Sequence, residues 1–209
     1  MRPASRPLVT CSKMIERRDK RIGLLGGSFN PAHHGHLHIS LRALKILNLD
    51  EVWWLISPQN PLKSSAEMNC YEERISQAEK INNDTRIKVS DFESRHGMCH
   101  TADTLSSLSL RYPRIKFVWL MGGDLLSEIH LWKEWDLIFE SVPIAIFDRW
   151  PYAQKCLNSK AAKRFSRYRI PIHSAGNLLN IKSPAWVYIF GPLNSISATE
   201  IRKKNLLNI

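Results

Sequence analysis

Four histidines fall within six positions, His33, His34, His36 and His38, directly after Gly26-Gly27-Ser28-Phe29-Asn30-Pro31. A glycine pair lets the backbone approach a ligand closely, and the N–H groups that open a following helix point toward it, an arrangement that attracts phosphate. His33 in the loop and His36 in the first helical turn can converge on one oxygen, where an imidazolium would donate to developing negative charge. A second chemistry is open, because His34 and His38 stand one helical turn apart, as metal ligands do. Against it, no HExxH is present and no nearby Asp, Glu or Cys supplies a third ligand. A glycine pair before a helix is by itself a weak sign, and no GK[ST] follows to make a Walker motif.

Near the other end, Ile196-Ser-Ala-Thr-Glu-Ile-Arg202 reads as a helix start. Ser197 and Thr199 can cap it with hydroxyls facing an anion. Arg202, one turn on, can reach the same anion with its bidentate fork. Taken alone, this is an ordinary cap followed by a surface arginine. Other residues carry similarly divided readings. Lys63 lies in a polar loop and would commonly be solvated, and Asp124 after Gly122-Gly123 would commonly cap a helix. Trp132 and Trp135, three residues apart, would share one helical face and belong to the core.

The elements that must position these residues follow from hydrophobic spacing. Ile22–Leu25 is a buried strand that breaks at the glycine pair, and residues 35–47 carry apolar side chains at helical spacing. Glu51–Ser57 is a second strand, followed by a long polar loop. Beyond it the spacing predicts a helix over 71–81, a strand over 87–90, a helix over 102–111 and a strand over 115–121 that closes at Gly122-Gly123. An acidic, tryptophan-rich helix over 125–140 follows, then a strand over 143–147, a basic helix over 153–168, a strand over 186–190 and a last helix from about 198. Strands alternating with helices imply parallel pairing through right-handed crossovers, hence an α/β, doubly wound, mostly parallel sheet with a small C-terminal helical portion. Such sheets bind ligands beyond the C-terminal ends of their strands, where every motif above falls.

Composition sets the outer bounds. The 209 residues are 44% apolar and 23% charged, ordinary for a globular chain and against wholesale disorder. The net charge of +11 is unevenly spread: +5 over residues 1–21, −3 over 22–152 and +9 over 153–209. That pattern argues against nucleic-acid wrapping, and a phosphate-rich small molecule explains the same field. No apolar run approaches a membrane span. Four scattered cysteines give neither a zinc site nor a disulfide framework, which points to a reducing, cytoplasmic setting. Residues 1–20 read as a disordered basic leader ahead of one domain over 21–209. Met14 is an alternative start, and Glu16 and Asp19 speak against a transit peptide.

Gly26 to His36 reads GGSFNPAHHGH, which closely resembles the first signature of the HxGH nucleotidyltransferase superfamily; its GGSFNP form looks like the bacterial nicotinate-nucleotide adenylyltransferases. Ile196 to Arg202 matches the second signature, ISxTxxR. The resemblance spans about residues 21–204 and implies a Rossmann-like nucleotidyltransferase fold. It also implies adenylyl transfer from ATP to nicotinate mononucleotide in NAD biosynthesis, giving nicotinate adenine dinucleotide and pyrophosphate. It assigns catalysis to His33, His36 and Arg202. ATP binding falls to Gly26, Gly27, Ser28, Phe29, His33, His36, Gly122, Asp124, Ser197, Thr199 and Arg202. Mononucleotide binding falls to Ser28, Asn30, Lys63, Thr101, Trp132 and Arg149. Within these sets Thr101 in HTADTL lies by the pyridine base, with His100 in place of the family's usual tyrosine, and Trp132 stacks on the nicotinate ring. Asp124 touches the adenosine side. Mg2+ is expected to arrive on the ATP phosphates, with no metal site on the protein, and a homo-oligomer is left open. Transfer to nicotinamide mononucleotide or phosphopantetheine is the alternative within the superfamily, and a nucleotide- or RNA-binding module is the alternative from another class.

Overall fold

A computed structural model describes residues 20–59, 68–148 and 153–191. The described strands are β1 Arg21–Gly27, β2 Glu51–Ile56, β3 Ile87–Ser90, β4 Lys116–Gly122, β5 Ile144–Phe147, β6 Arg169–Ile170 and β7 Trp186–Ile189. They form one sheet in the order β3-β2-β1-β4-β5-β7-β6, and every pairing is parallel. The helices are α1 His34–Ile46, α2 Tyr71–Ile81, α3 Phe92–Arg95, α4 Thr101–Arg111, α5 Gly123–Glu128, α6 Trp135–Ser141, α7 Ala153–Leu157 and α8 Lys160–Arg164. This is the doubly wound α/β architecture that the alternation of elements predicts, while the helix expected from about 198 lies outside the described residues.

A parallel sheet covered on both faces needs strands that are apolar throughout, because successive side chains point to opposite faces. Ile22 and Leu24 of β1, Trp53 and Leu55 of β2, and Phe117, Trp119 and Met121 of β4 join one buried layer, with α4 and α6 over it. Leu25 of β1, Val52, Trp54 and Ile56 of β2, and Val118 and Leu120 of β4 join the other, which α1 covers with Leu37, Ala43 and Leu44. The strand order reverses at β1. Strands β2 and β3 lie on one side of it and β4, β5, β7 and β6 on the other, so a crevice opens between the C-terminal ends of β1 and β4.

Three expected elements differ. The stretch 125–140 is not one helix: α5 runs into a 3-10 turn over Ile129–Leu131, Trp132 is extended and Glu134 is left-handed at φ 51° before α6 begins. Trp132 and Trp135 therefore do not share a helical face. The basic stretch 153–168 is likewise split into α7, α8 and a 3-10 turn, with the Ser159 side chain capping α8 through the Ala162 N–H. Finally, β1 continues through Gly26 and Gly27 rather than breaking at them.

Candidate active site

The crevice between β1 and β4 is bordered by the last residues of both strands, Gly26 and Gly27 on one side and Gly122 on the other. Neither glycine of the first pair has a positive φ, so bending is not their role. Gly26 is needed for room instead: a Cβ there would lie 2.3 Å from Cη2 of the Trp119 indole. Beyond Gly27 the chain dips into the protein, burying Ser28, Phe29 and Asn30, with Phe29 left-handed at φ 47°. The Asn30 carboxamide oxygen accepts the Asn69 N–H at 3.1 Å, which ties this turn to the segment that opens α2.

His33 and His36 start α1 by capping each other. The Gly35 N–H donates to Nδ1 of His33 at 3.1 Å, and the His33 N–H donates to Nδ1 of His36 at 3.2 Å, a capping box built from two imidazoles. Both bonds require an unprotonated Nδ1, so each ring carries its proton on Nε2. With Nδ1 so engaged, Nε2 is the ring nitrogen each histidine can turn to a phosphate oxygen. The ring centroids lie 4.0 Å apart, close enough for both rings to serve one phosphate chain. The Phe29 ring stacks on His36 at 4.3 Å with an interplanar angle of 27°. The Trp54 indole N–H donates to Ser40 Oγ at 2.7 Å, and Ser40 donates to the His36 carbonyl at 2.8 Å. His36 is thus held at its ring and at its backbone. His34 is exposed and His38 half-buried, and among the described residues no three His, Cys, Asp or Glu side chains gather to hold a metal ion.

The residues expected to receive the acceptor ring lie on α4 and the tryptophan segment. Thr101 is the first residue of α4, and the Asp103 carboxylate lies 3.7 Å from Lys133, so the turn carrying Trp132 is fastened beside the start of that helix. Thr101 and Trp132 are both half-buried. Trp135 belongs to the core: its ring packs edge-on against Phe139 at 6.2 Å and Phe165 at 5.8 Å. Asp124 stands in the first turn of α5, immediately past the end of β4. Lys63, Arg149, Ser197, Thr199 and Arg202 lie outside the described residues.

Sequence reasoning missed the residues that brace this cleft. The Arg74 guanidinium, only 1% exposed, donates to the carbonyls of Ser28 (2.6 Å), Ser57 and Pro58 (both 2.8 Å) and Asn69 (3.2 Å). Burial lowers its pKa, and the Tyr71 ring lies 5.3 Å from its Cζ. Its i, i+4 relation to buried Ala78 on α2 was the available signal, since both sit on the inward face of that helix. Arg42 of α1 donates to the Phe190 carbonyl at 2.7 Å and lies 5.7 Å from the centre of the Phe147 ring, joining the histidine helix to the end of β7.

A parallel sheet that reverses its strand order beside a histidine-capped helix has the architecture of a Rossmann-type nucleotidyltransferase. The model of the cytidylyltransferase-like family matches residues 24–204. A Bradyrhizobium protein named "Probable nicotinate-nucleotide adenylyltransferase" is 48% identical over 182 residues, which is 87% of this chain and 95% of that one. An Agrobacterium fabrum protein of the same name is 43% identical over 184 residues, 88% of this chain and 98% of its own length. In fold, the chain is similar to Plasmodium falciparum nicotinic acid mononucleotide adenylyltransferase complexed with NaAD, with a TM-score of 0.66 at 24% identity, covering 88% of this chain and 83% of the other. The chain belongs to the nicotinate-nucleotide adenylyltransferase family.

Proposed function

We propose that this chain transfers the adenylyl group of Mg-ATP to nicotinate mononucleotide, releasing nicotinate adenine dinucleotide and pyrophosphate in the cytoplasm, with His33 and His36 as its phosphate-binding pair. A phosphate oxygen of the mononucleotide attacks the α-phosphorus of ATP in line, and the bond from that phosphorus to the β-phosphate bridging oxygen breaks. No protein nucleophile is required. The site must hold two polyanions together and stabilise charge at phosphorus and on the departing pyrophosphate.

The observation that carries this reading is the reciprocal histidine cap. It fixes two Nε2–H donors at the end of β1 before substrate arrives, and prepaid orientation of this kind is where such enzymes draw most of their rate. His36 serves the α-phosphate and its transition-state charge, and His33 the β- and γ-phosphates. Ser197, Thr199 and Arg202 take the leaving pyrophosphate. Gly26, Gly27, Ser28, Phe29 and Gly122 shape the floor under ATP, with Asp124 on its adenosine side. Thr101 and Trp132 receive the nicotinate ring, while Ser28, Asn30, Lys63 and Arg149 serve the rest of the mononucleotide. Imidazole N–H and backbone N–H groups bind anionic oxygens rather than cations, which suits a Mg2+ ion that enters on the nucleotide.

The test is pyrophosphate release from Mg-ATP with nicotinate mononucleotide, nicotinamide mononucleotide and phosphopantetheine supplied in parallel. The expected result is a kcat/KM for nicotinate mononucleotide at least roughly tenfold above the other two, the scale of one lost charged contact. Faster turnover of either alternative acceptor would overturn the assignment.

A further inference from the structure

Glu93 is the one buried carboxylate among the described residues, 5% exposed, and nothing in the adenylyl transfer uses it. It sits in α3, the single turn after β3. Its Oε1 lies 3.0 Å from Thr104 Oγ1 on α4, and it stands beside the side chain of Ser57, the residue that follows β2, whose hydroxyl donates to the Gln59 carbonyl at 3.1 Å. Ser57 is fixed in turn, its N–H donating to the Gly27 carbonyl at 2.9 Å and its own carbonyl accepting from Arg74. The carboxyl therefore sits between the segment that leaves β2 and the first turn of α4, bonded to the latter.

Burial with no cation beside it favours the neutral acid. Thr104 has one hydroxyl hydrogen but two oxygens within reach, Glu93 Oε1 at 3.0 Å and the His100 carbonyl at 3.2 Å. A neutral carboxylic acid satisfies both: its O–H donates to Thr104 Oγ1, and Thr104 donates onward to His100. An ionised carboxylate draws the Thr104 hydrogen to itself and leaves the His100 carbonyl with the Thr104 backbone N–H alone, at 3.1 Å. Among the described residues no neighbouring cation favours the charged form. On α2, Arg74 is spent on backbone carbonyls, and Tyr71 is neutral, its phenol pushed up to about 12 by burial first and by Asp91 and Glu93 in addition. Around α3, Arg95 is paired with Asp91 at 2.7 Å and a His96 ring nitrogen is 2.8 Å from the Phe92 carbonyl. On α4, Asp103 faces Lys133 and His100 is the cap residue itself.

We infer that Glu93 is a positioning residue whose protonated carboxyl, through Thr104, sets the His100-Thr101 turn that receives the pyridine ring of the acceptor. The inference rests on the proposed placement of the acceptor beside Thr101 and Trp132. Burial, outweighing the Thr104 and Ser57 side chains, pushes the Glu93 carboxyl up to about 7, so the bridge loosens over the neutral range.

The experiment measures KM for nicotinate mononucleotide and for Mg-ATP from about pH 6 to 8.5 in the wild type, Glu93→Gln, Thr104→Val and Trp132→Ala. The amide introduced by Glu93→Gln donates as the neutral acid does. Expected for the wild type is a several-fold rise in KM for the mononucleotide with pH, relative to a Glu93→Gln profile that stays within about twofold of the low-pH wild-type value; this ratio removes the titration of the substrate phosphates. Thr104→Val raises that KM at every pH and leaves KM for ATP within about twofold. Parallel wild-type and Glu93→Gln profiles, or equal effects on both substrates, overturn the inference. A Trp132→Ala enzyme with unchanged KM for the mononucleotide overturns instead the acceptor placement beneath it. Infrared difference spectra of the wild type give a readout independent of any variant's folding: a carboxylic-acid carbonyl band present at the acid end of that range and lost at the alkaline end supports the bridge, and its absence at the acid end refutes it.

Discussion

The backbone N–H of His33 donates to Nδ1 of His36 across 3.2 Å, so the ring proposed to meet the α-phosphate also begins the helix that carries it. Helix start and charge stabilisation can be separated by substitution. In His36→Asn the short amide keeps an acceptor near the Nδ1 position but has nothing at Nε2. We expect kcat to fall about a hundred- to a thousand-fold, as for the loss of one fixed donor, with stability reduced by no more than about 1 kcal/mol. Pyrophosphate release and thermal melting measure the two effects, and a kcat within about tenfold of the wild type would remove His36 from the chemistry.

Gly26 is fixed by its neighbour rather than by its backbone angles. Gly26→Ala places a methyl 2.3 Å from the Trp119 ring in the middle of the sheet, which should cost about 1–3 kcal/mol of stability through overpacking. Trp119→Phe removes the atom that collides, so the double variant should be more stable than the two single losses predict. Urea denaturation of the four proteins closes the cycle; strict additivity would mean that the contact is not what excludes a side chain.

Arg74→Met leaves four carbonyls without their donor, those of Ser28, Ser57, Pro58 and Asn69. A loss on the order of 3 kcal/mol or more is expected, because each buried, unpaired polar group costs about 1–3 kcal/mol. Arg74→Lys, with a cation but no planar fork, should fall between the two. Chemical denaturation decides, and a methionine variant as stable as the wild type would show that water replaces the guanidinium without cost.

Glu93 also makes a statement about stability and pH. Its folded pKa of about 7 lies above its ordinary 4.5, so the folded state holds the extra proton between these values. By linkage, the contribution is complete below pH 4.5, declines as pH rises and is gone above about 7. The shift corresponds to at most about 3 kcal/mol. Glu93→Gln carries no such dependence, so its melting temperature should gain on the wild type from about pH 5 to 7 and hold that gain above it. A constant difference across that range would contradict the protonated bridge.

Much of this site is legible from sequence because it depends on local order. The glycines, the histidine spacing and the strand-to-helix transition all lie within residues 21–47, where periodicity and capping rules act. Strands β2, β3 and β4 are legible for a similar reason, since burial on both faces demands unbroken apolar runs. What sequence could not give is what long-range packing decides. Arg74 looks like a solvated helix residue until the carbonyls of Ser28 and Ser57 are brought to it from 46 and 17 positions away. Glu93 looks like a surface acid until α4 closes over it. The break between Trp132 and Trp135 is hidden because helical spacing continues through it, and only the left-handed Glu134 reveals the turn. The reciprocal bonds between His33 and His36 likewise follow from contacts and not from spacing.

The four acceptors of Arg74 belong to the turn after β1, the end of β2 and the approach to α2. Because one buried cation is shared among them, none of these segments can swing outward alone without stranding the charge, so they open to solvent as a single cooperative unit. Substrates therefore meet a wall that is already standing on this side of the cleft.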